Sequence, residues 1–155
     1  IYSYDFKGSR MMDLETLQAD IMREEGHLVL EPYQDHLGYW TIGCGHLIRD
    51  DEKDELMNPI TEERAKELFR KDLDVSIKDA ETFCEGMDID DNVKECVTHM
   101  SFQLGLPKLN QFKKFKKALQ DNDIETAIIE MKDSRAYNQT TNRWDRLIEK
   151  MKKSI

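Results

Sequence analysis

The spacing of apolar residues predicts a helix close to the amino terminus. Its apolar face is formed by residues that recur three or four positions apart or lie side by side: Leu14, Leu17, Ile21 and Met22. The pattern begins at Met12 or Asp13, and Gly26 follows directly after two glutamates. Because glycine readily adopts the backbone conformation that closes a helix, we expect the helix to end at about Gly26.

Residues 28–48 change to a strand-like pattern. Apolar and β-branched residues are interspersed there with Gly38, Gly43 and Gly45, while Pro32 argues against a helix. These features predict a small, strongly twisted antiparallel sheet of two or three short strands. The next residues, 50–58, are mostly charged and are predicted to form a loop.

A long helix is predicted over residues 61–85, with Thr61 as its capping residue. Its apolar stripe consists of Ala65, Leu68, Phe69, Leu73, Ile77, Ala80 and Cys84. A helix of about 25 residues spans roughly 37 Å. It is therefore long enough to connect two lobes.

The remaining sequence also has a helical pattern. Asp90 or Asp91 is placed to cap the next helix, and three shorter helices follow. The predicted breaks between them lie at Pro107, at Asn122 and at residues 138–141. The pattern as a whole predicts an α+β protein that is mostly helical, with its sheet near the amino end.

Length and charge narrow the class of protein. A chain of 155 residues can form one domain with a substantial core, or two small lobes that share a helix. The formal net charge is -9, divided into -14 for residues 1–100 and +5 for residues 101–155. The basic part could contact an anionic polymer, although a solvated helix face is the more common reason for such lysines.

No apolar stretch approaches the ~20 residues of a membrane-spanning helix, so we expect no membrane insertion. Residues 1–11 also lack the apolar centre of a signal peptide. We expect them to be a flanking segment of a longer chain or an expression remnant.

The sequence predicts neither a metal site nor another cofactor. Its four histidines lack the spacing of zinc ligands, and residues 88–91 lack the glycine and final glutamate of a calcium loop. Three cysteines cannot all pair within one chain and form no CxxC motif, so we expect reduced thiols.

Two carboxylates are the most informative candidates for chemistry. Glu25 lies at the predicted end of a helix and beside another glutamate, and both features favour its protonated form. A protonated glutamic acid can act as a general acid. Asp35 follows ten residues later, and paired carboxylates are what glycoside hydrolysis requires. Taken singly, each also fits a plain structural role, Glu25 on the surface and Asp35 as a turn residue.

The segment from Glu25 to Leu47 resembles the active-site segment of phage-type lysozymes, glycoside hydrolase family 24. The matching pattern is Glu24-Glu25-Gly26, then Tyr33-x-Asp35-x-x-Gly38-x-x-Thr41-Ile42-Gly43-x-Gly45-His46-Leu47. Further matches lie at residues 68–74, 102–105 and 134–143, in the order of that family. The similarity covers about residues 12–153.

The resemblance implies a two-lobed, lysozyme-like fold with a peptidoglycan cleft between the lobes. We expect one domain over residues 12–155. Its expected parts are a sheet lobe over about 27–60, a linking helix over about 61–85, and a helical lobe over about 88–153 that includes helix 12–25.

The resemblance also implies a reaction: hydrolysis of the β-1,4 bond between N-acetylmuramic acid and N-acetylglucosamine, with inversion at the anomeric carbon. By position, Glu25 corresponds to the general acid, Asp35 to the second carboxylate, and Thr41 to the hydroxyl that helps hold the attacking water. The positions that line or close the cleft are Leu47, Phe102, Gln103 and Arg143. His46 and Asp72 correspond to a structural pair.

Several positions depart from that family's pattern. The interval from Glu25 to Asp35 is one residue longer than usual, which requires a bulge near Pro32. An acidic residue is common where this chain has Leu37, and a tryptophan is common where it has Ala136. Phe115 and Glu130 stand where small polar or amide side chains are expected, and no binding role is assigned to them.

Three hypotheses about function follow. The first is an active muramidase, either a free lysis enzyme (an endolysin) or a lysozyme module of a phage tail, made in the bacterial cytoplasm and acting on the cell wall as a monomer. The second is a lysozyme-fold protein that binds the wall with little catalysis, which would not need Glu25, Asp35 and Thr41 together. The third, nucleic-acid binding, is disfavoured by the acidic first part of the chain and by absent base-reading motifs.

Overall fold

The computed structural model describes residues 3–5 and 11–155. Much of the segment predicted to flank the domain, residues 1–11, therefore lies outside the described residues. The strands of the described part are β1 (Ser3–Asp5), β2 (Met11–Asp13), β3 (Val29–Gln34), β4 (Trp40–Gly43) and β5 (His46–Leu47). β1 pairs with β2, and β3, β4 and β5 form an antiparallel sheet in that order.

Helices account for most of the described chain. They are α1 (Leu14–Glu25), α2 (Lys53–Leu56), α3 (Glu62–Phe83), α4 (Asp91–Leu104), α5 (Leu106–Leu109), α6 (Lys113–Gln120), α7 (Ile124–Lys132), α8 (Arg135–Gln139) and α9 (Thr141–Lys152). A short 3-10 helix, Asp50–Glu52, precedes α2. The predicted α+β, mostly helical lysozyme-like fold is confirmed.

The chain divides into two compact units. The sheet unit is Gln18–Val75, and the helical unit is Ile1–Leu17 together with Ser76–Ile155. Both boundaries fall inside helices, one within α1 and one within α3.

The sheet unit is organised around β4. Tyr33 of β3 pairs with Thr41, and Thr41 pairs in turn with Leu47 of β5. The register between β3 and β4 is interrupted between Val29 and Tyr33, where a bulge was expected around Pro32. The opposite face of β4 is apolar, and Ile42 packs there in a core cluster with Leu56, Leu68, Ile48 and Ile60.

Helix ends follow from local capping chemistry. The hydroxyl of Thr61 accepts the backbone N–H of Arg64 at 3.1 Å at the start of α3. The carboxylate of Asp90 accepts the N–H of Val93 at 3.2 Å and caps α4. Both predicted caps are confirmed.

Most of the helical unit consists of α4 to α9. α4 packs against α9, and α7 packs against both α6 and α9. The indole of Trp144, which is fully buried, lies 6.1 Å from the ring of Phe112, and Phe115 lies 6.2 Å from both Phe83 and Phe112. These rings form an aromatic core, the kind of packing that contributes most to the stability of a small unit.

Two predictions of secondary structure were wrong. Residues 50–58 are not a plain loop, because Asp50–Glu52 and Lys53–Leu56 form short helices and Leu56 is fully buried. The break predicted at Pro107 is also misplaced, because Pro107 lies inside α5, whereas the break predicted at residues 138–141 is found at Thr140, between α8 and α9. Within the described residues, no helix is both long and apolar enough to cross a membrane.

Candidate active site

Glu25 is the last residue of α1. The N–H of Gly26 donates to the carbonyl of Met22 at 3.1 Å, and Gly26 adopts a φ of +101°, so the helix ends where its glycine was predicted to end it. The side chain of Glu25 is partly buried and lies against Gly45. A Cβ atom at Gly45 would be 3.2 Å from Cδ of Glu25 and still closer to Oε1. The carboxyl therefore rests directly on the backbone between β4 and β5.

Asp35 begins the tight turn that joins β3 to β4. Its carbonyl accepts the N–H of Gly38 at 2.9 Å, and its Oδ1 accepts the N–H groups of Leu37 and Tyr39, both at 2.9 Å. Gly38 has a φ of +86°, which a glycine adopts without strain. These bonds hold the carboxylate in one orientation. Both side-chain bonds fall on Oδ1, which leaves Oδ2 able to accept from a ligand.

The peptide of Tyr39 connects Asp35 to Thr41. Its carbonyl accepts the backbone N–H of Asp35 at 2.9 Å and the hydroxyl of Thr41 at 3.0 Å. Its N–H donates to the Asp35 carboxylate. The second carboxylate and the hydroxyl are thus fixed to the same backbone unit.

Thr41 is 3% exposed and lies in the cross-strand row with Tyr33 and Leu47. Because its hydroxyl proton is donated to the Tyr39 carbonyl, its oxygen is left as an acceptor. Leu47, predicted to bind substrate, is 54% exposed at the end of the same row.

Tyr33 lies near the candidate carboxylates. Burial raises the pKa of its hydroxyl, and the charges of Glu25 and Asp35 raise it further, since a negative phenolate would be repelled by them. Tyr33 is therefore a neutral hydrogen-bond donor beside two acids.

The other predicted binding residues lie in the helical unit. Phe102 and Gln103 are in α4, and Arg143 is in the first turn of α9; all three are partly buried. The sheet unit thus contains Glu25, Asp35, Thr41 and Leu47. The helical unit contains Phe102, Gln103 and Arg143.

Gln103 has a defined structural role in the helical unit. Its Oε1 accepts the indole N–H of Trp144 at 2.9 Å, and its Nε2 donates to the hydroxyl of Thr140 at 3.0 Å. Because an indole nitrogen can only donate, the amide oxygen must face Trp144. The amide joins α4 to the start of α9 and retains one donor for a ligand.

His46 forms the predicted pair with Asp72, with Nδ1 and Oδ2 2.8 Å apart. Sequence reasoning missed a second partner, Glu52, whose Oε1 lies 2.9 Å from Nε2. Burial of the ring opposes its charge, but hydrogen bonds and charge from Asp72 and Glu52 outweigh burial and raise the pKa of His46. Glu52 belongs to the 3-10 helix that was predicted to be a loop. The sequence pattern therefore did not indicate that its carboxylate contacts His46.

The departures from the family pattern have different structural outcomes. Leu37 is 60% exposed in the turn beside Asp35, whereas Phe115 is 1% exposed and belongs to the aromatic core. Glu130 and Ala136 line a pocket of about 740 Å³ in the helical unit, together with Arg135 and three lysines. Phe115 is therefore a packing residue in place of the polar one expected.

The described residues contain no group of three or more His, Cys, Asp or Glu side chains that could hold a metal ion. Cys44, Cys84 and Cys96 are buried and form no disulfide. Burial raises the pKa of Cys84 and Cys96 to about 12, so these thiols are poor nucleophiles.

Comparison with known proteins agrees with this geometry. The family model described as phage lysozyme matches residues 23–153. Two relatives from Dictyostelium discoideum, probable T4-type lysozymes 2 and 1, are 30% and 31% identical to the chain, and each match covers 83% of this chain and 89% of the relative. The pre-baseplate central spike protein Gp5 of Enterobacteria phage T4 is 28% identical over 83% of the chain, which spans 26% of that protein.

The chain therefore belongs to the phage lysozyme family. At the level of that family it is a lysozyme, a hydrolase that acts on peptidoglycan.

Proposed function

We propose that this protein is an N-acetylmuramidase that cleaves the β-1,4 bond between N-acetylmuramic acid and N-acetylglucosamine, with inversion. The observation that carries the proposal is the connection of Asp35 to Thr41 through the Tyr39 peptide, in the unit that also holds Glu25. A purely structural turn would need the Asp35 bonds but not the Thr41 hydroxyl or the carboxyl on Gly45.

In the proposed mechanism, Glu25 donates its proton to the glycosidic oxygen as the bond to the anomeric carbon breaks. Glu25 is the last residue of α1 and its carboxyl lies against the Gly45 backbone, so the contact positions the group that would deliver the proton. The leaving sugar departs with this proton as a free hydroxyl.

Water completes the reaction from the opposite face of the sugar. It donates one hydrogen bond to Oγ1 of Thr41 and one to Oδ2 of Asp35, so both of its lone pairs remain available and one of them attacks the anomeric carbon. Asp35 then accepts the proton that the water releases, and the product has the inverted configuration. Thr41 is almost fully buried and its hydroxyl is held by the Tyr39 carbonyl, so the acceptor offered to the water is itself fixed in position.

Leu47 and the helical-unit residues Phe102, Gln103 and Arg143 are proposed to contact the glycan. The exposed isobutyl group of Leu47 offers an apolar surface for a sugar ring, and the remaining amide hydrogen of Gln103 can donate to a sugar oxygen. Arg143 carries a positive charge suited to the carboxylates of the stem peptides.

The test compares wild type with Glu25→Gln and Asp35→Asn on purified peptidoglycan. Glu25→Gln keeps the shape of the side chain and removes its proton, so we expect turnover to fall by at least about 10³-fold with unchanged thermal unfolding. Asp35→Asn retains an oxygen for the turn bonds and should lose about 10²- to 10³-fold. Substantial turnover by Glu25→Gln would refute the acid assignment.

Stereochemistry and setting are tested separately. Proton NMR of early products should show the α-anomer first, and initial β-anomer would refute inversion.

The relatives support two settings, a free lysozyme and a module of a spike protein, in both of which the proposed place of action is the bacterial wall. We propose a monomer, which sedimentation equilibrium would test.

A further inference from the structure

Exposed apolar side chains are concentrated in one part of the described chain. Nine large hydrophobic residues among residues 13–155 are exposed, and six of them fall between residues 30 and 47: Leu30, Tyr33, Leu37, Tyr39, Trp40 and Leu47. Isolated exposed apolar residues need no explanation, but a cluster on one small sheet suggests a binding surface.

The strand register assigns these residues to two faces. Tyr39 lies two positions before Thr41 along the chain and pairs with Asp35 through the backbone, so it shares the face of Thr41, Tyr33 and Leu47. Trp40 is on the opposite face with Ile42. Neighbouring aromatic residues thus point to opposite sides of the sheet.

The backbone of Tyr39 is unusually well fixed for an exposed residue. Its N–H and carbonyl make three hydrogen bonds to Asp35 and Thr41. Its side chain is nevertheless 60% exposed. A ring that is exposed on a fixed backbone loses little conformational freedom when a ligand binds to it.

We propose that Tyr39 is a sugar-stacking platform, which holds the apolar face of an N-acetylglucosamine ring next to the bond that is cleaved. This inference rests on the proposed function and names a specificity-determining residue for it. The occupant is a glycan strand because the platform is continuous with Asp35, Thr41 and Leu47, the groups that would act on such a strand.

The negative charge near Tyr39 favours an uncharged sugar there over an anionic ligand. The turn that carries Tyr39 also carries Asp35, and Glu31 lies on the preceding strand. Local acidity of this kind repels an anionic ligand but not a neutral acetylated sugar. Leu37, exposed in the same turn, extends the apolar surface where the family pattern has an acidic residue.

Binding is measured by co-sedimentation with purified peptidoglycan sacculi, in a Glu25→Gln background that prevents cleavage. Tyr39→Ala should weaken binding about tenfold, the equivalent of ~1.4 kcal/mol. Tyr39→Phe should bind like the parent, because stacking needs the ring and not the hydroxyl. Trp40→Ala is the matched control on the opposite face and should bind like the parent.

Turnover measured in the protein that retains Glu25 distinguishes the sugar-stacking role of Tyr39 from the proposed reaction. If wild type cleaves peptidoglycan, Tyr39→Ala should lower kcat/KM about tenfold mainly through KM. A loss confined to kcat, with binding intact, would show that Tyr39 only shapes the Asp35 turn and would overturn the platform. If wild type does not cleave, the proposed function fails, while the binding comparison still decides the platform.

Two further outcomes would overturn the inference. Equal weakening by Trp40→Ala would indicate general disruption of the sheet, which thermal unfolding of each variant would reveal. Self-association of the parent that Tyr39→Ala abolishes would identify a second copy of the chain as the occupant.

Discussion

The carboxyl group of Glu25 occupies the space that a side chain at Gly45 would require. Gly45 also has a φ of +75°, a conformation that L residues adopt only at a cost. Glycine at this position is therefore needed for two independent reasons. One concerns the backbone and the other concerns the proposed acid.

Gly45→Ala should strongly reduce turnover, because the added methyl group displaces the Glu25 carboxyl. We expect a loss of about 10²-fold, typical of a catalytic group moved by about an ångström. Gly86→Ala is the control, since Gly86 has a φ of +77° and no atom within 4 Å of an added Cβ. Both variants should lose about 1–2 kcal/mol in urea unfolding, but only Gly45→Ala should lose activity. Equal activity in the two variants would contradict the contact.

Thr41→Val removes the hydroxyl and keeps the β-branched shape. The variant should lose the bond to the Tyr39 carbonyl, costing about 1 kcal/mol in urea unfolding. It should also lose at least about tenfold in kcat, because the water has one partner fewer. Thr41→Ser, which keeps the hydroxyl, should retain most of the turnover. A Thr41→Val variant with full kcat would exclude Thr41 from positioning water.

His46 should make stability depend on pH. The pKa of His46 in the folded protein is above the ordinary value of 6.5. The stability that His46 contributes to the fold is therefore complete below about pH 6.5 and is lost as pH rises through the folded pKa. Burial opposes the charge of Glu52, but the Arg49 N–H and His46 lower its pKa below 4.5 overall. That contribution is present above about 4.5 and is lost as pH falls through the folded value.

The pKa shifts of His46 and Glu52 together predict that this pair contributes most to folding stability between about pH 4.5 and 6.5. His46→Asn should cost about 3 kcal/mol there, because two carboxylates lose a buried partner, and less at pH 9. Urea unfolding of both proteins across pH measures this difference. A cost that does not change with pH would mean that His46 acts through packing alone.

Phe115 should matter for stability and not for binding. Phe115→Ala removes a fully buried ring that contacts Phe83 and Phe112, so we expect a loss of about 3–5 kcal/mol in urea unfolding. Ile129→Ala is the control on an exposed side chain and should be nearly neutral. At a temperature where Phe115→Ala remains folded, its KM for peptidoglycan should equal that of wild type; a raised KM would assign Phe115 to the substrate site.

Helix boundaries were predictable because their causes are local. Thr61, Asp90 and Gly26 act on backbone groups within four residues, and each does what its residue type predicts. The short helices at residues 50–56 were not predictable. Four residues are too few to show a helical period, and the charged sequence that suggests a loop also suits a helix start.

The candidate site was predictable only in part, for a related reason. Glu25 and Asp35 could be proposed because glycoside hydrolysis requires paired carboxylates, and Thr41 could be proposed only because its segment resembles that of phage-type lysozymes. Tyr39 could not, because its contribution to Asp35 and Thr41 comes from backbone atoms that every residue except proline possesses. The contact of Glu25 with Gly45 joins residues twenty positions apart and has no signature in sequence.

At position 39 the backbone positions Asp35 and Thr41, whereas the side chain is proposed to bind the sugar. Since the contacts to Asp35 and Thr41 come from its backbone, the side chain at position 39 can be changed without removing them. If the Tyr39 ring binds the sugar as proposed, a library of residues at position 39 should change which polymers the protein accepts while Asp35 and Thr41 stay in place, which makes this position a starting point for redirecting the protein to other cell walls.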